Sequence, residues 1–169
     1  MGTNLSDKKN IEIVQLVVFK VADEEYGVEI NDLKSIIKVP EITIIPNSPT
    51  FIKGIIDLRG KIITILDLKD RFNLHNISAD EQKDTNEKRV IVAEINNNNF
   101  GLIVDKVEEI LKAPKDSIKK TPEMLQSKIH ADYLKGVSVM EERLILLLDL
   151  QKILSEKEIN QVFSLTKTK

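Results

Sequence analysis

The stretch Phe51-Ile52-Lys53-Gly54-Ile55-Ile56-Asp57-Leu58-Arg59-Gly60-Lys61-Ile62-Ile63-Thr64-Ile65-Leu66-Asp67-Leu68 decides how the rest of the chain is read. Two apolar, largely β-branched runs flank Asp57-Leu58-Arg59-Gly60-Lys61. Gly60 can take the positive φ that a tight turn demands, so the segment reads as a β-hairpin. A diverged copy returns as Tyr133-Leu134-Lys135-Gly136 and Leu144-Ile145-Leu146-Leu147-Leu148-Asp149-Leu150. The offset is constant at 82 (54 to 136, 67 to 149), which makes the second hairpin a repeat of the first.

Upstream, Ile13-Val14-Gln15-Leu16-Val17-Val18-Phe19-Lys20-Val21 has the composition of a half-buried strand. Ala22-Asp23-Glu24-Glu25 turns it, and Tyr26-Gly27-Val28-Glu29-Ile30 returns, with Gly27 marking a bulge or a close backbone approach. This hairpin also recurs, as Val90-Ile91-Val92-Ala93-Glu94-Ile95, four asparagines and Phe100-Gly101-Leu102-Ile103-Val104, at an offset of 74 (26 to 100, 40 to 114). The offsets differ by eight (82 − 74), which places an insertion between Pro114 and Tyr133. Thr121 as N-cap and Pro122 at the first helical position start a short helix there, running towards Gln126.

Residues 31–37 read as a helical turn capped by Asn31 or Asp32. Pro40, Pro46 and Pro49 then leave room for one short strand over 42–45. Leu150, Ile153, Leu154, Ile159, Val162 and Phe163 recur at helical spacing and predict a C-terminal helix. Each half supplies about five strands in roughly 65 residues, which suits a small curled barrel. The expectation is a mainly all-β domain over 13–159, with one lobe at 13–72, a linker at 73–87, a second lobe at 88–159 and flexible tails at 1–12 and 160–169. A barrel of that size buries only about 60% of its unfolded surface, so the lobes should pack together and leave a groove between them.

Composition excludes several classes of function. The net charge of −2, from 25 basic and 27 acidic residues, offers no footprint for a nucleic-acid backbone or an anionic membrane, and seven aromatics (five Phe, two Tyr) are too few for a base-stacking face. With no cysteine there is no disulfide, thiolate nucleophile or cysteine-type metal site, and the cytoplasm is the expected compartment. His75 falls in the linker and His130 in the insertion, and neither has a partner at metal-ligand spacing. Asp67 and Asp149, the equivalent aspartates of the repeats, each precede a short helical pattern and read as N-caps in preference to a catalytic pair. No phosphate-binding loop or nucleophile elbow is present, so the reading is a non-enzyme without cofactor or metal. Arg59 is either a donor fork for a carboxylate or a solvated turn residue.

Together, Glu25-Tyr26-Gly27-Val28-Glu29-Ile30, Pro49-Thr50-Phe51-Ile52-Lys53-Gly54, Leu58-Arg59-Gly60 and Asp67-Leu68 resemble the CheW family of bacterial chemotaxis coupling proteins, from about Ile13 to Ile159. The resemblance implies two SH3-like five-stranded β-barrels. It also implies an adaptor between the histidine kinase CheA and the cytoplasmic tips of chemoreceptors, recruited to receptor arrays and able to join rings or arrays. Matching positions for the receptor groove are Leu33, Ile36, Gly54 and Gly136, to which an apolar groove adds Val28, Ile30 and Val104; barrel core is the plain alternative for each aliphatic. For contact with the kinase regulatory domain the matches are Ser35, Lys38 and Ile42 on the first lobe, and Lys119 and Met124 on the second. Two departures stand out. Ser35 replaces the Glu that often partners the arginine matched by Arg59, which favours a fold-supporting role for Arg59, and Thr64 replaces a frequent Pro and restores a ladder donor.

Overall fold

Four hairpins with two-residue turns organise the molecule. The computed structural model describes residues 12–74, 85–123 and 131–167. Among these, the turns Ala22-Asp23, Arg59-Gly60, Asn96-Asn97 and Glu141-Glu142 all have positive φ at both residues, between 48° and 83°. That is the turn whose twist matches paired strands. The strands they join are β1 (Ile13–Val21) with β2 (Glu24–Glu29), β4 (Ile52–Leu58) with β5 (Lys61–Asp67), β6 (Arg89–Ile95) with β7 (Asn98–Val104), and β10 (Leu134–Met140) with β11 (Arg143–Leu148). β3 (Leu33–Lys38), β8 (Lys106–Pro114) and the two-residue β9 (Ile118–Lys119) complete the strands. Among the described residues the α-helices given with both ends are α1 (Leu68–Arg71) and α2 (Glu156–Lys167).

The strands form two sheets, ordered β8-β1-β2-β11-β10-β9 and β3-β6-β7-β5-β4. The fold is thus mainly all-β, with two SH3-like lobes and a C-terminal helix. The short β9 has its counterpart in the second sheet as a single bridge, Thr43 to Ile55, which is all that forms of the strand expected over 42–45.

The sheets do not divide at the linker. β1 and β2 close the barrel of β8 to β11, while β6 and β7 close the barrel of β3 to β5. The division into lobes at 13–72 and 88–159 is therefore corrected: the first hairpin of each half belongs to the other half's barrel. The cause is the apolar pattern of β1, β2, β6 and β7. These strands are buried on both faces, and crossing over places one face inside a barrel and the other between the barrels.

Three apolar clusters follow. Leu16, Val18, Ala113, Ile145 and Leu147 fill one barrel, and Ile56, Ile63, Ile65, Val90, Val92 and Ile103 fill the other. The largest cluster lies between them and includes Val17, Phe19, Tyr26, Leu66, Phe72, Ile91, Phe100, Leu102, Leu146 and Leu148. The space expected as a groove between the lobes is thus, at its centre, packed core.

Three local expectations change. Residues 30–32 form a single 3-10 turn with no side-chain cap, and the chain then extends as β3, because pairing with β6 outweighs the capping tendency of Asn31 and Asp32. Residues 160–167, expected as part of a flexible tail, belong to α2, where Val162 is buried and the Phe163 ring lies 6.1 Å from that of Phe100. Gly27 sits at no bulge. A Cβ there would meet Ile145 at 3.0 Å and Leu147 at 3.2 Å, so it serves the close approach. In the insertion Glu123 is helical, and the remainder of that expected helix lies outside the described residues, as do His75 and His130.

Candidate protein-binding surfaces

The residues singled out by sequence separate into core and margin. Val28 and Val104 are each 1% exposed within the cluster between the barrels, so they hold the barrels together and line no open groove. Gly54 and Gly136 are also buried. Each follows a register shift at the start of its hairpin, at φ +146° and +156°, with its open face against the backbone carbonyl oxygen of Thr43 or of Lys119. Glycine is required there because a Cβ would stand 2.1 Å or 2.6 Å from that oxygen.

Ile30, Leu33 and Ile36 behave differently. They follow the chain as it crosses from one sheet to the other, and Ile30 and Leu33 rest half-buried against the central core. Ile36 pairs with Ile91, a residue of that core, yet is 39% exposed because β3 ends its sheet. Its repeat equivalent Ile110, on the terminal strand β8 opposite Val17, is 57% exposed. A cleft of about 280 Å³ lined by Ile13, Gln15, Glu29, Ile30 and Lys115 adjoins the crossing, and Ile13 is exposed beside it. Ile13, Ile30, Leu33 and Ile36 thus make an apolar margin at the edge of the shared core.

The candidate kinase contacts fall on barrel edges: Ile42 and Lys119 lie at equivalent ones, by the Thr43 bridge and on β9, whereas Ser35 and Lys38 lie on β3, whose repeat equivalent is β8. Ser35 and Lys38 are exposed on β3, and Ile42 packs half-buried against the second barrel beside Gly54. Lys119 is exposed on β9 beside Gly136, and Met124 lies outside the described residues.

Arg59 is an exposed turn residue at φ 53°, in a turn tied by the Gly60 N–H donating to Asp57 Oδ1 at 2.9 Å. Thr64 is buried and pairs with Ile55 on one side and Phe100 on the other. Asp67 caps α1 by accepting from the Lys69 N–H at 2.9 Å, and Asp149 caps the single turn at 150–152 by accepting from the Gln151 N–H at 3.1 Å. Burial, reinforced by the charge of Asp70, pushes the Asp67 carboxyl above the ordinary aspartate range.

Two basic residues missed in the sequence are structural clasps. The Arg71 guanidinium lies 4.5 Å from the Phe51 ring centroid and 5.1 Å from that of Tyr133. It donates to the Ile153 carbonyl and to Glu158, each at 2.8 Å. One side chain thereby joins α1, both halves and the C-terminal helix. Arg143 donates to Glu25 at 2.8 Å and pairs with Glu109 at 2.9 Å, and these carboxylates hold its guanidinium above its ordinary range. No local signal announces either, since the partners are distant in sequence.

Among the described residues, no group of three or more His, Asp or Glu is placed to hold a metal ion, and no helix is long and apolar enough to cross a membrane. Asp67 and Asp149 serve as caps, and Arg71 and Arg143 as ion-pair partners. What the surface offers is an apolar margin and exposed barrel edges, features suited to holding other proteins.

Comparison with known proteins agrees in extent. The family model described as the CheW-like domain matches residues 15–158. The Chemotaxis protein CheW of Klebsiella aerogenes is 32% identical over 154 residues, covering 91% of this chain and 89% of that protein. The Chemotaxis protein CheW of Treponema pallidum is 30% identical over 156 residues, covering 92% and 91%. Among solved structures, the scaffolding protein TtCheW from Thermoanaerobacter tengcongensis superposes with a TM-score of 0.77 at 34% identity, covering 87% of this chain and 91% of that one.

Proposed function

The chain belongs to the CheW-like domain family, and on that footing we propose that it is a non-catalytic adaptor coupling chemoreceptors, the methyl-accepting chemotaxis proteins, to the histidine kinase CheA. Its role is that of a chemotaxis scaffold, cytoplasmic and recruited to membrane-bound receptor arrays. The observation that carries the reading is the apolar margin of Ile30, Leu33 and Ile36. A helical hairpin from a receptor can lay its apolar face along such a margin. The barrel edges bearing Ser35, Lys38 and Ile42, and bearing Lys119, remain open for the SH3-like regulatory domain of the kinase. Each contact is of the transient class, about 800 Å² per partner or less, with micromolar affinity.

The test is calorimetric titration of the purified protein with a receptor cytoplasmic fragment and with the kinase regulatory domain. Binding of both supports the adaptor, and binding of neither removes it. Ile36→Asp should weaken the receptor fragment about tenfold or more while leaving the far-UV spectrum unchanged. An unchanged affinity in that folded variant takes the β3 margin out of the receptor site. Gly136→Glu is no test of the groove, because a side chain there meets the Lys119 carbonyl oxygen and disturbs the fold first.

A further inference from the structure

The registers between the halves of the chain obey a two-fold rule. Val17 faces Ile110 and Ile36 faces Ile91, and by the offset of 74 Ile110 is the equivalent of Ile36 and Ile91 that of Val17. Tyr26 faces Leu146 and Thr64 faces Phe100, where Leu146 is the equivalent of Thr64 (offset 82) and Phe100 that of Tyr26 (offset 74). Away from the ladder ends, where a residue of the first half meets the copy of another, that other meets the copy of the first. This is the signature of an isologous dimer interface, here drawn inside one chain.

The ladders within a half are the hairpins, β9 with β10 and the Thr43 bridge. The ladders β1–β8, β2–β11, β3–β6 and β5–β7, which close the barrels, each take one strand from each half. A half by itself is therefore a pair of hairpins with exposed apolar faces, and isolated hairpins are marginal in water. Its surface is built to be covered by another half.

We propose that a second copy of the chain can supply that other half, giving a reciprocally exchanged dimer in which two complete two-barrel bodies share two chains. Every ladder and core contact in the exchanged dimer is one already present in the single chain. The two forms then differ only in how the halves are brought together. A short connection sets an effective concentration on the order of 1 mM. Closure within one chain is accordingly favoured about 1,000-fold at ~1 μM protein and competes with exchange near ~1 mM. Interconversion requires opening the closing ladders and the central core, so each form persists once made.

The experiment uses the full chain, which has no cysteine of its own. One variant carries Gln15→Cys and Lys112→Cys, exposed residues that face each other across the halves in the β1–β8 ladder. A second carries Val139→Cys and Leu144→Cys, exposed and facing each other within the β10–β11 hairpin. Cross-strand Cα atoms about 4.5–5.5 Å apart lie within disulfide range. Each variant is refolded at ~1 μM and at ~1 mM, the dimer is isolated by size, oxidised, and run under non-reducing denaturing conditions. The expected result is a dimer fraction that rises with refolding concentration, in which the first pair joins two chains while the second leaves chains single. Absence of a dimer at ~1 mM, or a dimer in which both pairs leave chains single, overturns the proposal. Because the readout is covalent connectivity, the outcome is separate from whether receptor or kinase is bound.

Discussion

Replacing Gly54 with alanine puts the largest calculable stress on the fold. The added methyl would lie 2.1 Å from the Thr43 carbonyl oxygen and 2.7 Å from both Ile42 Cγ2 and the Thr43 carbonyl carbon, at a φ of +146°. Holding an L residue in that region costs about 1–3 kcal/mol. The obstruction is backbone and cannot swing aside, so Thr43 has to retreat. Its two hydrogen bonds with Ile55, at 2.9 Å and 2.8 Å, go with it. At about 1 kcal/mol for each bond, the expected loss is about 3–5 kcal/mol, a large share of the 5–15 kcal/mol typical of a domain. Gly60 provides the contrast: its φ is +83°, yet nothing lies within 4 Å of an added Cβ, so Gly60→Ala should cost only about 1–2 kcal/mol. Gly136→Ala should fall between, with its nearest contact at 2.6 Å. Urea unfolding followed by far-UV circular dichroism gives the three values. A Gly54→Ala protein within about 1 kcal/mol of the parent, or a Gly60→Ala loss as large as that of Gly54→Ala, would refute this account of the glycines.

Further substitutions probe other features. Tyr26 is fully buried and its hydroxyl has no hydrogen-bond partner among the described residues, so Tyr26→Phe should gain about 1 kcal/mol, and a loss in the same unfolding measurement would mean that the hydroxyl is satisfied. Glu141 and Glu142 occupy a turn that favours Asn-Gly, so Glu141→Asn with Glu142→Gly should raise stability by about 1 kcal/mol, seen as a melting temperature several degrees higher. Asp67→Ala should cost about 1 kcal/mol through loss of the α1 cap. Asp67→Asn keeps an acceptor and removes a half-buried charge. Because the folded carboxyl titrates above its ordinary 3.8, the wild-type stability linked to Asp67 is present below pH 3.8 and lost as pH rises through the folded value. The Asn variant should therefore melt higher than the parent at pH 7, with the advantage shrinking as pH falls towards 3.8; a lower melting point at pH 7 would contradict this.

The hairpins and both offsets were legible because turn chemistry and strand composition are local. Gly60 and the asparagines at 96–97 name their turns outright, and the roles of Asp67 and Asp149 followed from the helical patterns after them. Pairing between strands is not local. An internal repeat says which segments are equivalent, but not whether β2 lies beside β5 or beside its copy β11, a choice made by two-sided burial. β3 was misread because Asn31 and Asp32 favour a turn, while the partner that extends it, β6, lies more than 50 residues on. The apolar margin was half visible: Leu33 and Ile36 stand at the edge, whereas Val28 and Val104, also aliphatic, are core because a whole barrel covers them.

The exchange of hairpins also governs how the protein can be made. β1 and β2 leave the ribosome before the other described strands, yet β1 finds its other ladder partner only when β8 follows, more than 90 residues later (13 to 106). At the usual 5–20 residues per second, that interval is roughly 5–20 s. During it, a strand containing Leu16-Val17-Val18-Phe19 has one unpaired edge and no barrel to enter. Neither barrel can finish before the C-terminal half has emerged, so the nascent chain depends throughout synthesis on whatever in the cell keeps apolar strand edges from pairing with strangers.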